Sequence, residues 1–373
     1  MSKKHTTWVI CSAEGYIKRG YETYTRELVD NLNKDYPNST LLVRAAVKNN
    51  NERNTLNVLN VLKFGGTLNS FLSKRIKKFH PYQSYYLHLS GFITSLFILL
   101  FFKRPKIVYV VEGTVYKYLF NYKKYLNKKF KLIYFTGGQL VGTLPVDDSI
   151  YLHHVTPCYI DTATKMGFNK EKQFLIPHFT NTQPNIYNNS NVLRKKYGIS
   201  NSALIVLSVG SIDSIFKRMD YVIEEFTKVE KEKFLILLGH KTDQTLLIEE
   251  IANKHLAKEE YLMLTVPKEE IDQYYQLADI VVSASLREGF GLMYVEALAN
   301  KKVPIVHDFP VSRYVLDSFA IYRNFNKPNE LKNAIDNYNE LVKEINTENI
   351  YPFIKERYAW QKQTTLYYQH LLN

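Results

Sequence analysis

Apolar positions along the chain fall into two trains of short β-rich runs, each interleaved with helical patterns. In the first train, 8–11, 40–46, 107–111 and 132–136 read as strands. Residues 20–32, with Leu28, Val29 and Leu32 on one face, read as a helix, and so does the apolar segment 90–102. The second train opens with LIVLSVGS at 204–211, a strand entering a glycine turn. Strands follow at 234–238, 261–265, 280–283 and 303–307, with helices at 221–229, 246–254, 268–277 and 291–299 between them. Strands alternating with helices predict parallel sheets covered on both faces. The polar, turn-rich stretch 177–190 between the trains reads as a hinge. The expectation is an α/β chain of two doubly wound, Rossmann-like domains, 1–178 and 179–355, facing across a cleft, then an amphipathic segment at 356–373. Open sheets of this kind bind ligands at the carboxyl ends of their strands, so the informative residues are those just after strands.

Composition narrows the class. The chain has 373 residues, 45% hydrophobic and 23% charged, which excludes a disordered, collagenous or coiled-coil protein. Two cysteines, Cys11 and Cys158, cannot build a disulfide framework, and a reducing, cytoplasmic compartment is expected. The segment 8–11 reads as a buried first strand rather than part of a signal peptide. The apolar run 92–102, FITSLFILLFF, is short of the roughly 20 residues that span a bilayer. A buried helix leading into the next strand fits it, and a helix lying in a membrane interface is the alternative.

The formal net charge of +13 is unevenly placed. Residues 1–180 hold 26 Lys and Arg against 11 Asp and Glu, whereas the remainder holds 23 against 25. The dense clusters are Lys74, Arg75, Lys77 and Lys78, then Lys103, Arg104 and Lys106, then the lysines between 123 and 131. Such asymmetry points to a polyanionic partner on the first half. The expected partner is an anionic membrane surface, with nucleic acid as the alternative; a solvated lysine surface gives the same count.

The sharpest stretch is 283–310, SASLREGFGLMYVEALANKKVPIVHDFP. A strand ends at Ser283, a loop carries Glu288, Gly289, Phe290 and Gly291, and a helix follows with Leu292 in its first turn and Glu296 further along. The glycines let the backbone approach a ligand, and the helix start presents N–H groups suited to a diphosphate. Glu288 falls near the reacting end of such a ligand, and Glu296 can grip the two adjacent hydroxyls of a ribose. The same residues also fit a glycine turn before an ordinary helix with Glu296 in solvent.

The pattern E-G-F-G-x-x-x-x-E-A-x-A, with Pro304 and Val306 beyond it, resembles the E-x7-E signature of family-4 retaining glycosyltransferases. That resemblance implies the GT-B fold, with the final helix crossing back onto the first domain. It also implies a nucleotide-diphosphate sugar as co-substrate, no metal requirement and no other cofactor. Val209-Gly210-Ser211 with Lys217-Arg218 resembles the segment where the family clamps the donor diphosphate through an Arg and a Lys. Lys217 matches and Ser211 takes the usual Arg position, so Arg218 is the nearest replacement. Lys18-Arg19-Gly20 resembles the family's N-terminal glycine loop, with Gly20 facing the donor phosphate. Thr265-Val266-Pro267 matches the loop that contacts the base, and Val266 is the donor-side candidate.

On the acceptor side no residue matches the histidine that many members carry. The strand end Thr136-Gly137-Gly138-Gln139 resembles a subset with a glycine pair there, which makes Gly138 and Gln139 candidates. His153 and His154 point to opposite sides of a strand, so at most one faces the cleft, and His154 is taken as the candidate. Glu112 follows a strand at a productive end; a solvated loop glutamate is the other reading. The expected function is a retaining sugar transfer to a glycan or lipid-linked acceptor of the cell-surface polysaccharide type, at the inner membrane face. A transferase acting on DNA bases and a non-catalytic binding protein on the same fold are the alternatives.

Overall fold

The computed structural model describes residues 6–16, 20–46, 52–63, 66–76, 83–126, 128–138, 140 and 144–373. The chain divides into two compact units, one of residues 1–176 with 363–373, the other of residues 177–362.

Among the described residues the first unit holds seven strands: β1 (Thr7–Ile10), β2 (Thr40–Ala45), β3 (Thr55–Val58), β4 (Ile107–Val110), β5 (Lys131–Phe135), β6 (Ile150–His154) and β7 (Gln173–Leu175). They form one sheet in the order β3-β2-β1-β4-β5-β6-β7, every pairing parallel. β1 and β4 are buried along their whole length, as strands covered by helices on both faces must be. Ile10 pairs with Val110, so Ser12 and Glu112 follow from neighbouring strand ends. The strand order reverses between β1 and β4, the place where an open sheet leaves a crevice.

The second unit repeats the plan with β8 (Leu204–Val209), β9 (Lys233–Leu238), β10 (Tyr261–Leu264), β11 (Ile280–Ser283), β12 (Pro304–His307) and β13 (Ile321–Arg323). Their order is β10-β9-β8-β11-β12-β13, again parallel, with the reversal between β8 and β11. Both sheets with their helices have the expected two-domain α/β architecture.

Several elements differ from the sequence expectation. The apolar helix runs Gln83–Lys103, starting seven residues before 90, because its first two turns are polar and tyrosine-rich. A helix at Gly113–Tyr125 and the strands β3 and β7 were not expected, whereas β6 is the strand on which His153 and His154 were placed. The closing segment is two helices, Ile350–Tyr358 and Trp360–Leu371. Ala359 between them is extended, with φ −69° and ψ 139°, and the Thr180 N–H takes the Tyr358 carbonyl at 3.0 Å. The end of the last helix belongs to the first unit. There the Tyr367 hydroxyl bonds Tyr24 at 3.0 Å, and Tyr24 bonds Tyr109 at 2.9 Å.

Candidate active site

In the second unit the reversal point is built from two glycine turns and one helix start. After β8 the chain turns at Gly210, whose φ of +149° disfavours any other residue. A Cβ at Gly239, after β9, would lie 1.4 Å from the Gly210 carbonyl oxygen, so the two turns pack backbone on backbone. A Cβ at Gly210 would meet the Lys217 stem at 2.6 to 2.9 Å. The lysine therefore lies across the glycine turn.

Asp213 shapes the loop that carries this lysine. Its buried carboxylate accepts the N–H groups of Phe216 at 2.6 Å and Lys217 at 2.9 Å, and the hydroxyl of Ser211. Lys217 then reaches over to form an ion pair with Glu288, both side chains being largely buried. The residue pair is 71 positions apart in sequence and meets because β8 and β11 are neighbours.

Glu288 leads into Gly289, Phe290 and Gly291. Gly291 has φ +82°, and a Cβ there would strike the Tyr294 ring at 2.4 Å. The helix Leu292–Ala299 begins at once, so its first N–H groups point back into the loop. Burial, and then the charge of Glu288, raise the Tyr294 phenol well above its ordinary range, so it stays protonated. Ser285, fully buried three residues before Glu288, has a hydroxyl without a hydrogen-bond partner. Glu296 accepts the Tyr275 hydroxyl at 3.1 Å and is half-buried. Val266 is half-buried in the loop after β10, next to Thr265, whose hydroxyl donates to the Gly239 carbonyl at 2.6 Å.

Other sequence-derived candidates are placed differently. Arg218, with φ +50°, lies over the Tyr221 ring at 4.4 Å and donates to the Phe325 carbonyl at 3.3 Å. The Phe290 ring is buried against His178 at 5.1 Å and Tyr358 at 5.6 Å, which leaves its backbone for any ligand. Burial pushes the His178 imidazole down to about 3.

In the first unit Glu112 sits at the reversal point. Its carboxylate accepts the Ser12 N–H and the Ser12 hydroxyl, each at 2.6 Å. Glu14 nearby accepts from Arg26 at 3.0 Å and pairs with the buried Arg44. Gly138 is buried after β5 with φ +154°. Gly20 opens the helix Gly20–Asp35, and a Cβ there would meet nothing within 4 Å. Lys18, Arg19, Gln139, Lys77 and Lys78 lie outside the described residues. His154 is fully buried in β6, with Nε2 2.9 Å from Gln173 Oε1, and burial lowers it to about 4. His153 is buried too, between the Tyr109 hydroxyl and the Ile176 carbonyl, each at 2.8 Å. The structure thus brings neither histidine to a surface, because β6 is an interior strand.

Sequence reading missed Asp213 and Tyr275. The spacing Ser211-x-Asp213 just after a strand-end glycine is the signature of a side-chain-capped turn and was the available signal for the first.

Residues 189–349 match the family described as glycosyl transferases group 1. The alpha-monoglucosyldiacylglycerol synthase of Acholeplasma laidlawii is 32% identical over 117 residues, 31% of this chain and 29% of that protein. The match thus spans under a third of the relative's length. Sucrose-phosphate synthase of Thermosynechococcus elongatus superposes with a TM-score of 0.74 at 13% identity, covering 97% of each chain. Anabaena Alr3699/HepE, solved in complex with UDP and glucose, gives 0.73 at 12% identity and 98% of each chain. At these identities the structural likeness is one of fold.

Proposed function

Proceeding from a chain that has the GT-B fold and whose residues 189–349 match the glycosyl transferases group 1 family, we propose that it moves a sugar, with retention, from a nucleotide-diphosphate sugar to a glycan or lipid-linked acceptor. The observation that carries this reading is the Lys217–Glu288 pair at the β8/β11 reversal, beside the start of the 292–299 helix. In this reading a donor diphosphate replaces Glu288 as the partner of Lys217. Lys217 and the helix N–H groups of Gly291 and Leu292 then stabilise the charge that grows on the leaving diphosphate. Glu288, released, turns to the donor sugar, and Glu296, oriented by Tyr275, holds the ribose. Val266 borders the base. Ser211 acts through Asp213 by holding the lysine loop.

The bond between the anomeric carbon and the phosphate oxygen breaks, the acceptor hydroxyl bonds the carbon on the same face, and its proton passes to the leaving phosphate. This scheme needs no metal, since Lys217 and the helix start supply the positive potential. Glu112, Gly138 and Gln139 are the acceptor-side candidates, and Gly20 is a further donor-side candidate. The basic first half is read as docking at an anionic membrane, on its cytoplasmic face. Support for a sugar nucleotide comes from the Anabaena structure with UDP and glucose. Support for a lipid-linked acceptor comes from the Acholeplasma relative named for a glucosyldiacylglycerol.

A panel of UDP-, GDP- and ADP-sugars, read by thermal shift and then by product anomer in NMR, tests the proposal. At least one donor raises Tm, and the product keeps the donor's anomeric configuration. No shift with any donor, or an inverted product, contradicts it.

A further inference from the structure

The exposed apolar face of the first unit suggests more than a basic surface. The helix Gln83–Lys103 turns Leu89, Phe92, Ile93, Leu96 and Leu100 into the core, at the spacing of one helical face. Long and apolar enough to cross a bilayer, it is nevertheless committed to the sheet along that face. Its other face is left in solvent, where Ile98, Phe101 and Phe102 are exposed, Phe102 by 74%. The helix Gly113–Tyr125 extends the same patch with Tyr118, Tyr125 and, just beyond its end, Leu126; Tyr125 is 78% exposed. Stacking of Phe97 on Tyr122, 4.5 Å between rings, holds the two helices together. Together these side chains line one almost wholly apolar groove. An open apolar surface of this kind on a soluble fold marks a docking site.

The charge around it identifies the occupant. Residues 83–131 hold nine Lys and Arg and a single acid, Glu112, which is engaged by Ser12. Lys103, Arg104, Lys124 and Lys129 are exposed at the rim, and Lys128 holds its ammonium 4.4 Å over the Phe101 ring. A second copy of the same face would set one cationic rim against another. A bilayer with anionic headgroups satisfies both halves at once: acyl chains receive the aromatic residues, and phosphates receive the lysines.

We infer that the groove between the 83–103 and 113–126 helices docks on an anionic bilayer, with Phe101, Phe102, Tyr125 and Leu126 inserted and Lys103, Lys124 and Lys128 on headgroups. The inference deepens the membrane part of the proposed function and is independent of its transfer chemistry. The Lys74–Arg75 cluster is then secondary, because the apolar groove is elsewhere.

The full chain is floated with vesicles of equimolar phosphatidylglycerol and phosphatidylcholine, and with phosphatidylcholine alone. Binding to the anionic vesicles is expected to fall at least about tenfold for Phe101→Glu with Phe102→Glu, and to be similarly weak on the neutral vesicles. Lys124→Glu with Lys128→Glu lowers it several-fold and flattens its salt dependence. Both variants keep the parent circular dichroism. Parent protein that stays off the anionic vesicles, or an aromatic variant that binds them as the parent does, overturns the inference. A lipid-free dimer that the aromatic substitutions dissolve overturns it as well, since a second copy is then the occupant. Donor-induced thermal shift in the same samples separates the two proposals. A shift without flotation removes the docking surface alone, and flotation without a shift removes the transferase reading alone.

Discussion

The two sheets share one topology and spend it differently. At the reversal of the first, Glu112 is taken up by the backbone and hydroxyl of Ser12, and Glu14 by Arg26 and the buried Arg44. The acids there are satisfied from within. At the reversal of the second, a cation on a glycine-framed loop meets a carboxylate on another loop, beside a helix start. The half of the chain with the large positive excess therefore has an acidic reversal point, and the half that is slightly acidic overall has the lysine. Net charge and site chemistry separate. The excess belongs to an outer surface, whereas the proposed anion site is set by local backbone geometry.

The comparison breaks first if Glu288 is dispensable. Glu288→Gln is expected to cut sugar transfer by about 10²–10³-fold, the scale of losing one preorganised polar contact to the reacting group, with Tm nearly unchanged. Initial rates of donor-dependent product formation measure it, and full activity removes the second reversal point as the catalytic one.

Next comes the glycine contact that frames the lysine. Gly239→Ala forces a Cβ onto the Gly210 carbonyl, and the backbones must part. The expected cost is about 2–4 kcal/mol by urea melt, with loss of the donor-induced shift. An unchanged midpoint would show that the two turns are free to separate.

A smaller effect concerns the first unit's interior. His88 and His154 are both lowered to about 4 by burial, below their unfolded value near 6.5. Between these values the unfolded chain binds more protons than the folded one. The stability they contribute is thus present above pH 6.5 and lost as pH falls toward 4. Tm should fall across that window, and His154→Gln should flatten part of the fall. A steeper fall in that variant would contradict the buried, neutral assignment.

Ser211→Ala removes one hydroxyl from Asp213 while the two N–H bonds remain. About 1 kcal/mol and a few-fold weaker donor binding are expected in calorimetry. A loss as large as that of the lysine would mean that Ser211 touches the diphosphate itself.

Much of the second unit was readable in the chain because its strands are continuous apolar runs, four of them largely buried and two closed by glycine turns at Gly210 and Gly239, so β8 to β12 lie within a residue or two of those runs. The first unit was less so, for identifiable reasons. β3 is a short edge strand whose first three residues are only half-buried, and its apolar content is thin. The Gly113–Tyr125 helix is rich in Tyr, with one Thr, one Val and one Phe besides, residues that favour strands in isolation, and packing selects the helix. β6 was seen only through its histidine pair, which read as candidate chemistry but serves the interior of the sheet. In the site, each of Lys217, Glu288 and Glu296 carried a local signal. Their pairing did not, because neighbours across β8 and β11 are set by strand order rather than by spacing. Arg218 shows the converse: adjacent to Lys217 in sequence, its left-handed backbone turns it to Tyr221 and Phe325.

The proposed donor-diphosphate site is carried by the second reversal point, at Lys217, rather than by Glu112 at the first. Calorimetric titration of the best donor into the parent, Lys217→Ala and Glu112→Gln tests it most directly. Lys217→Ala is expected to weaken donor binding about 100-fold, while Glu112→Gln binds donor as the parent does. Parent-like binding by Lys217→Ala, or donor binding lost in Glu112→Gln, would contradict it.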